Sequence, residues 1–248
     1  MKLEKILFPT DFSETADHAF KQAVALAIAH RAKLHVFHSI LLHSEDPDHL
    51  KTVLKGYAEH VEKEALDLLQ KTSGELEGKG LQVEFSTSRA FSPYEAIAEK
   101  VDQFAPDLIV MGTHGRSGVE KLLLGSVAEK VLRHAPCNVL TLRKDAAIVG
   151  ESNGLQRVLV PVDFTDFSRR AVAVARTLVS DKGSLTVLHV VASPIHPSFY
   201  AGGVTELFQV DPELPSRIKT NLEEWLGDQP GEIIVTEGNP AAEILKTA

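Results

Sequence analysis

Between residues 112 and 126 the chain reads GTHGRSGVEKLLLGS, which places glycines at 112, 115, 118 and 125 and a hydroxyl at Ser126. The run follows an apolar stretch, DLIVM, and leads into a segment with helical periodicity. Such a sequence suits a phosphate. Glycines let a backbone approach an anion closely, and the first N–H groups of a helix lack intrahelical acceptors and sit at the positive end of its dipole. Gly112 and Gly115 would give the close approach, while Gly125 and Ser126 would add an N–H and a hydroxyl. Ser126 also stands where an N-cap belongs, with Glu129 three residues later completing a capping box. Val127, Val131, Leu132 and Ala135 then form the buried stripe, and Pro136 ends the helix. The same residues equally make an ordinary turn and cap. Neither the P-loop pattern nor a dinucleotide-type G-x-G-x-x-G after the first strand is present, so spacing alone leaves both readings open.

Other reactive side chains form no catalytic set. There is no G-x-S-x-G elbow, no H-E-x-x-H and no carboxylate pair placed by a motif. The one cysteine, Cys137, excludes an intrachain disulfide and a four-cysteine zinc site, and its place after Pro136 at the start of a strand reads as packing. His38 and His189 lie within strands and read as satisfied interior histidines rather than metal ligands. Arg116 and Lys121 lie within the glycine run, where they either meet phosphate charge or stay solvated, and His114 either contacts a ligand or closes the turn.

The elements that must position these groups alternate strand with helix. Ile6 to Phe8 is a short continuous apolar run, as in a strand buried on both faces. Asp11 or Ser13 caps the next segment, where Ala16, Ala19, Phe20, Ala23 and Ala27 follow helical spacing. Leu34 to Ile40 is a second strand, Asp48 to Leu69 a longer helix and Leu81 to Phe85 a third strand. Ser92-Pro93-Tyr94-Glu95 combines a capping box with proline at the first helical position. Asp107 to Met111, Ser126 to Ala135 and Cys137 to Leu142 complete the series as strand, helix and strand. This order predicts an α/β fold with an open parallel sheet and helices on both faces.

The pattern then recurs. KILFPTDFSETADHAFKQA from Lys5 aligns without a gap to RVLVPVDFTDFSRRAVAVA from Arg157, pairing Pro9, Asp11 and Phe12 with Pro161, Asp163 and Phe164. LHVFHSI at Leu34 meets LTVLHVV at Leu185, and SPYEAI at Ser92 meets NPAAEI at Asn239. The stretch from Lys144 to Leu155 lacks periodicity and is rich in small and polar residues, so the expected units are 1–144 and 157–248 with a linker at 145–156. The second copy has no counterpart here for the segment from Val101 onward and is expected to be truncated, without a glycine loop or last strand.

Bulk composition narrows the partners. The 248 residues are 44% hydrophobic and 24% charged, which is globular, and the formal net charge of −8 with no long basic block argues against nucleic acid. No apolar run approaches a membrane span or a signal peptide, so a cytoplasmic protein is expected.

Taken together, G-x2-G-x9-G-S at Gly112, Gly115, Gly125 and Ser126, PTDFSETA after the first strand and LHVFHS in the second resemble the ATP-binding branch of the universal stress protein family. The repeat resembles its tandem two-domain members. That resemblance implies a Rossmann-like five-stranded parallel sheet of order 3-2-1-4-5 in tandem, with one adenine nucleotide, ATP with or without magnesium, at the carboxyl edge of the first unit. It places Thr10 and Asp11 at the base and ribose end and Ser39 at the adenine. Met111, Gly112, His114 and Gly115 would line the ribose and first phosphates, and Gly125, Ser126 and Val127 the outer phosphates; Arg116 joins them as a candidate cation. Asp11 would be repelled by a triphosphate but suits sugar hydroxyls, and capping the first helix is an equally physical role for it, since Asp163 matches it in a copy without the loop. The reading is a binding and signalling module; the alternatives are a slow metal-dependent nucleotide hydrolase in the same pocket and a ligand-free dimerisation scaffold. The first strand of the second copy, Arg157 to Val160, is expected at an open edge, and Cys137 to Leu142 is expected to pair with its counterpart in a homodimer.

Overall fold

A computed structural model describes residues 3–41, 56–57, 59–60, 63–64, 67, 80–113, 124–146, 155–192, 207–227 and 231–248. The chain forms two compact units that part between Glu151 and Ser152.

In the first unit, β1 (Lys5–Thr10), α1 (Glu14–His30), β2 (Lys33–Leu41), β3 (Val83–Ala90), α2 (Pro93–Phe104), β4 (Leu108–Gly112), α3 (Ser126–His134) and β5 (Asn138–Leu142) follow in order. The five strands are parallel and lie in the order β3-β2-β1-β4-β5. Central β1 carries Ile6, Leu7 and Phe8 without any solvent exposure, because helices cover both of its faces. On one side Phe8 meets Phe20 of α1 with ring centroids 5.2 Å apart. On the other, Leu7, Phe37, Ile109 and Met111 pack with Ala96, Ile97 and Val101 of α2 and with Ala128 and Val131 of α3. The expected stripe of α1 is buried throughout. Of the expected helix from Asp48 to Leu69, only positions between 56 and 67 fall among the described residues, and these are helical.

Three local expectations are corrected. β3 begins at Val83 and runs to Ala90 rather than ending at Phe85. Its polar run Ser86-Thr87-Ser88 shows no apolar alternation, yet the backbone stays in register with β2 as far as Leu41↔Ala90. Ser92 is the N-cap of α2 and Pro93 opens the helix, but the Ser92 side chain makes no capping hydrogen bond. The stripe of α3 is Val127, Ala128 and Val131, flanked by Leu124 and Ala135, whereas Leu132 is 42% exposed. Leu132 follows Val131 by one position, about 100° around the helix, and so turns outward.

The second unit contains β6 (Leu155–Val162), α4 (Asp166–Leu178), β7 (Val179–Val191), α5 (Leu207–Val210), α6 (Leu214–Leu226), β8 (Glu232–Glu237) and α7 (Pro240–Thr247). Its strands are parallel in the order β6-β7-β8. Val160, Val162, Val172, Ala175, Leu185, Val187, Leu222 and Ile233 form its core. The duplication is visible in backbone detail: Phe12 and Phe164 both adopt left-handed conformations, with φ of 59° and 63°. His38 Nδ1 lies 2.7 Å from Thr10 O, and His189 Nδ1 lies 2.8 Å from Val162 O.

Candidate functional site

The carboxyl ends of β1 and β4 adjoin where the strand order changes direction, the place where open parallel sheets receive ligands. Short polar side chains fold the backbone out of β1 there. Thr10 Oγ1 accepts the Phe12 N–H at 3.0 Å, Asp11 Oδ1 accepts the Ser13 N–H at 3.1 Å, and Ser13 Oγ caps α1 by accepting the Ala16 N–H at 3.2 Å. Phe12 holds a left-handed conformation that costs a non-glycine residue about 1–2 kcal/mol. The ring contact with His38, centroids 4.7 Å apart, offsets part of that cost. Because a carbonyl only accepts, His38 Nδ1 carries the proton that it donates to Thr10 O.

Gly112 ends β4 directly over the first turn of α1. A β-carbon at that position would lie 2.9 Å from Thr15 Cγ2 and 3.3 Å from the Thr15 backbone, so the glycine is required by helix packing. That requirement brings the ends of β1 and β4 to one crevice. Beyond Gly112, Thr113 donates its N–H to Leu142 O at 2.8 Å and its hydroxyl to the same oxygen at 3.2 Å. On the far side of the loop, Gly125 donates its N–H to Thr113 O at 2.7 Å, which closes the loop at its base.

This bond changes the expected cap. Gly125, rather than Ser126, is the N-cap of α3, because Glu129 N donates to Gly125 O at 2.9 Å. The capping box between Ser126 and Glu129 therefore does not form, and Glu129 pairs with Arg133 at 3.0 Å instead. Ser126, Val127 and Ala128 become the first helical residues, whose N–H groups have no acceptor within the helix. Gly125 serves by placing them rather than by offering its own N–H.

The remaining candidates divide. Ser39 follows His38 at the carboxyl end of β2, and its hydroxyl oxygen is buried without a hydrogen-bond partner among the described residues. Met111 lies in the core beneath α2 and α3, so only its backbone reaches the crevice. His114, Gly115 and Arg116 lie outside the described residues. Sequence reasoning missed Phe12, Thr15 and Thr113. The recurrence of phenylalanine after the aspartate in both copies was a signal for Phe12, whereas Thr15 and Thr113 act through contacts distant in sequence.

At the opposite end of the sheet, His35 Nε2 lies 2.8 Å from Ser86 Oγ and His35 Nδ1 3.6 Å from Glu84. Burial, then the Lys100 ammonium, holds this imidazole below its ordinary range, while Glu84 pulls the other way and Lys33 lowers it again. Burial pushes the Cys137 thiol up to about 11, with the Asp107 carboxylate adding to the effect. Among the described residues no three His, Cys, Asp or Glu gather to hold a metal ion, and no helix is long and apolar enough to cross a membrane.

The sequence and the fold are similar to those of known proteins. A family model described as the universal stress protein family matches residues 2–143 and 154–248. A universal stress protein of Methanocaldococcus jannaschii is 30% identical over 141 residues, covering 57% of this chain and 82% of that protein. The solved universal stress protein UspA from Lactobacillus plantarum covers 58% of this chain and 99% of its own, at 27% identity and a TM-score of 0.53. A universal stress protein structure from Archaeoglobus fulgidus covers 100% of this chain and 83% of its own, with a TM-score of 0.67 at 23% identity, a likeness of fold.

Proposed function

The chain belongs to the universal stress protein family, and from that premise we propose that its first unit binds one adenine nucleotide, ATP, as a stress-response or signalling module. One observation carries the reading: the turn after β1, the glycine end of β4 and the amino terminus of α3 meet at a single crevice. The chemistry suits a nucleotide from end to end. The N–H groups of Ser126 and Val127 and the Ser126 hydroxyl face the outer phosphates, with Gly125 fixing their position. Gly112, His114 and Gly115 line the ribose and first phosphates, Met111 adds backbone groups, and Arg116 balances phosphate charge. Thr10 and Asp11 take the sugar and base end, away from the triphosphate charge. The Ser39 hydroxyl, buried without a hydrogen-bond partner among the described residues, is a polar group that the adenine end would satisfy.

Magnesium enters with the triphosphate. The acidic net charge of −8 suits a small ligand rather than a nucleic acid, and the cytoplasm is the setting. Binding shifts conformation or association rather than driving rapid turnover. β5 lies at the edge of the first sheet, bonded to β4 on one side, and pairs through Cys137–Leu142 with the same strand of a second chain. A concentration-independent monomer mass contradicts that pairing. Mass spectrometry of the small molecules released from the purified chain tests the nucleotide. An adenine nucleotide at no more than one per chain is expected; a chain that neither carries nor takes up one contradicts the reading.

A further inference from the structure

Alternate side chains of a β-strand share a face, and neighbouring strands set their partners side by side. β2 and β3 pair through His35↔Glu84 and Phe37↔Ser86, so these four side chains stand on one face of the first sheet. α2 packs on that face. Its Phe104 ring lies 4.9 Å from the His35 ring, and its Lys100 Nζ lies 5.5 Å from the Phe37 ring. His35 is buried, but β3 is the last strand of the sheet, where Ser86 is only half-buried and the Glu84 side chain is 52% exposed.

The His35 imidazole stands between a hydroxyl and a carboxylate. Its Nε2 is 2.8 Å from Ser86 Oγ and its Nδ1 is 3.6 Å from Glu84 Oε2. Nδ1 is buried without a hydrogen-bond partner among the described residues, so the carboxylate is the acceptor it faces. Lys33 Nζ holds the other Glu84 oxygen at 2.5 Å, which favours the ionised carboxylate. A neutral imidazole carries one proton. Beside Glu84 that proton belongs on Nδ1, which leaves Nε2 to accept the Ser86 O–H. Burial, Lys100 and Lys33, against the opposing Glu84, lower the His35 pKa and keep the ring neutral at pH 7. Hydroxyl, base and orienting carboxylate in this order make an activated nucleophile, recognised by geometry rather than by position in the sequence.

We propose that Ser86 is a nucleophile toward activated esters of small carboxylic acids, with His35 as its base and Glu84 as the residue that positions His35. Ser86 Oγ attacks the ester carbonyl carbon as its proton passes to His35 Nε2. The bond from that carbon to the leaving oxygen breaks, the leaving group departs with the proton, and Ser86 holds the acyl group. Water then attacks the acyl carbon through the same base, which returns the proton to Ser86 Oγ as the acid leaves. The Lys100 ammonium, over the ring paired with Ser86, supplies the positive charge for the oxyanion. Half-burial of Ser86 beside the Phe37 and Phe104 rings restricts the acyl group to a small one. The set shares no residue with the nucleotide crevice.

The test treats the full chain with p-nitrophenyl acetate, follows p-nitrophenolate release and maps acetylated peptides by mass spectrometry after acid quenching. An acetyl group on Ser86 is expected. Release should be lost in Ser86→Ala and slowed about a hundredfold in His35→Gln, the scale of general-base assistance. The rate should rise with pH about a midpoint below 6.5, because the unprotonated imidazole is the base. Glu84→Gln should move that midpoint lower still, since the carboxylate supports the protonated ring. Acetyl groups on lysines alone, Ser86 labelled as fast in His35→Gln, or unaltered release in Ser86→Ala would overturn the proposal.

Discussion

Gly112 at the end of β4 lies so close to Thr15 in the first turn of α1 that a β-carbon there would come within 2.9 Å of Thr15 Cγ2. The contact fixes two strand ends to one helix start, and the rest of the crevice is built around it. Gly112→Ala is therefore expected to destabilise the first unit by about 1–3 kcal/mol, the usual range for overpacking. Adding Thr15→Ser, which removes the clashing methyl but not the nearby backbone, should recover part of the loss. Chemical denaturation of the two variants checks both statements; an unchanged midpoint for Gly112→Ala counts against the packing account.

The paired histidines give a second expectation. His38→Phe keeps a ring beside Phe12 but removes the donor to Thr10 O, taking a hydrogen bond from a buried carbonyl at a cost of about 1–3 kcal/mol. His189→Phe removes the equivalent bond to Val162 O in a half-buried setting, so its effect should be smaller. Equal losses in the two units would contradict this ordering.

Acid sensitivity follows from His35. Its pKa is lowered in the folded chain by burial and by Lys100 and Lys33, against the opposing Glu84, with Ser86 and Phe104 completing its surroundings. Above the unfolded value, about 6.5, both states are neutral and this group does not alter stability with pH. As pH falls through that value the unfolded chain takes up the proton more readily, so stability is lost. Melting temperatures between pH 7.5 and 5 should fall, and His35→Gln should make the fall shallower. Half-buried His30, lowered likewise by its partial burial, keeps a residual slope in that variant.

Cys137 should be slow toward thiol reagents. With the thiol at about 11, its thiolate fraction near pH 8 is about a hundredfold below that of an ordinary cysteine. Alkylation under native conditions should be correspondingly slow and should become ordinary in denaturant. Rapid native labelling would show that the strand opens.

Much of this was legible in the sequence because the signals were local. The apolar run at Ile6–Phe8, the helical spacing from Ala16 to Ala27 and the repeated PTDF/PVDF segments led to the parallel sheet and the tandem organisation. What escaped depended on partners distant along the chain. Ser126 has an N-cap's sequence context, but the bond from Gly125 to Thr113 sets the helix one residue earlier. Gly112 suits a phosphate approach by composition, yet its place is required by Thr15, ninety-seven positions away. Met111 was a candidate by motif, and only the packing of α2 and α3 reveals that its side chain faces the core. Polar Ser86–Ser88 look unlike a strand, but backbone pairing to β2 carries β3 through them.

Ser126 separates a phosphate site from an ordinary helix start. It is exposed at the first helical position, where an added carboxylate should stabilise the helix by a few tenths to about 1 kcal/mol through the dipole. The same carboxylate would repel a phosphate. Ser126→Asp should therefore raise the melting temperature slightly while weakening nucleotide binding at least tenfold. A variant that gains stability and binds ATP as before contradicts the placement of the phosphates.

Calorimetric titration of the full chain with ATP and magnesium is the most direct measurement of the central claim. Saturable binding at one nucleotide per chain, lost in Gly115→Val, is expected. No binding at millimolar ATP, or two equivalent sites per chain, would contradict it.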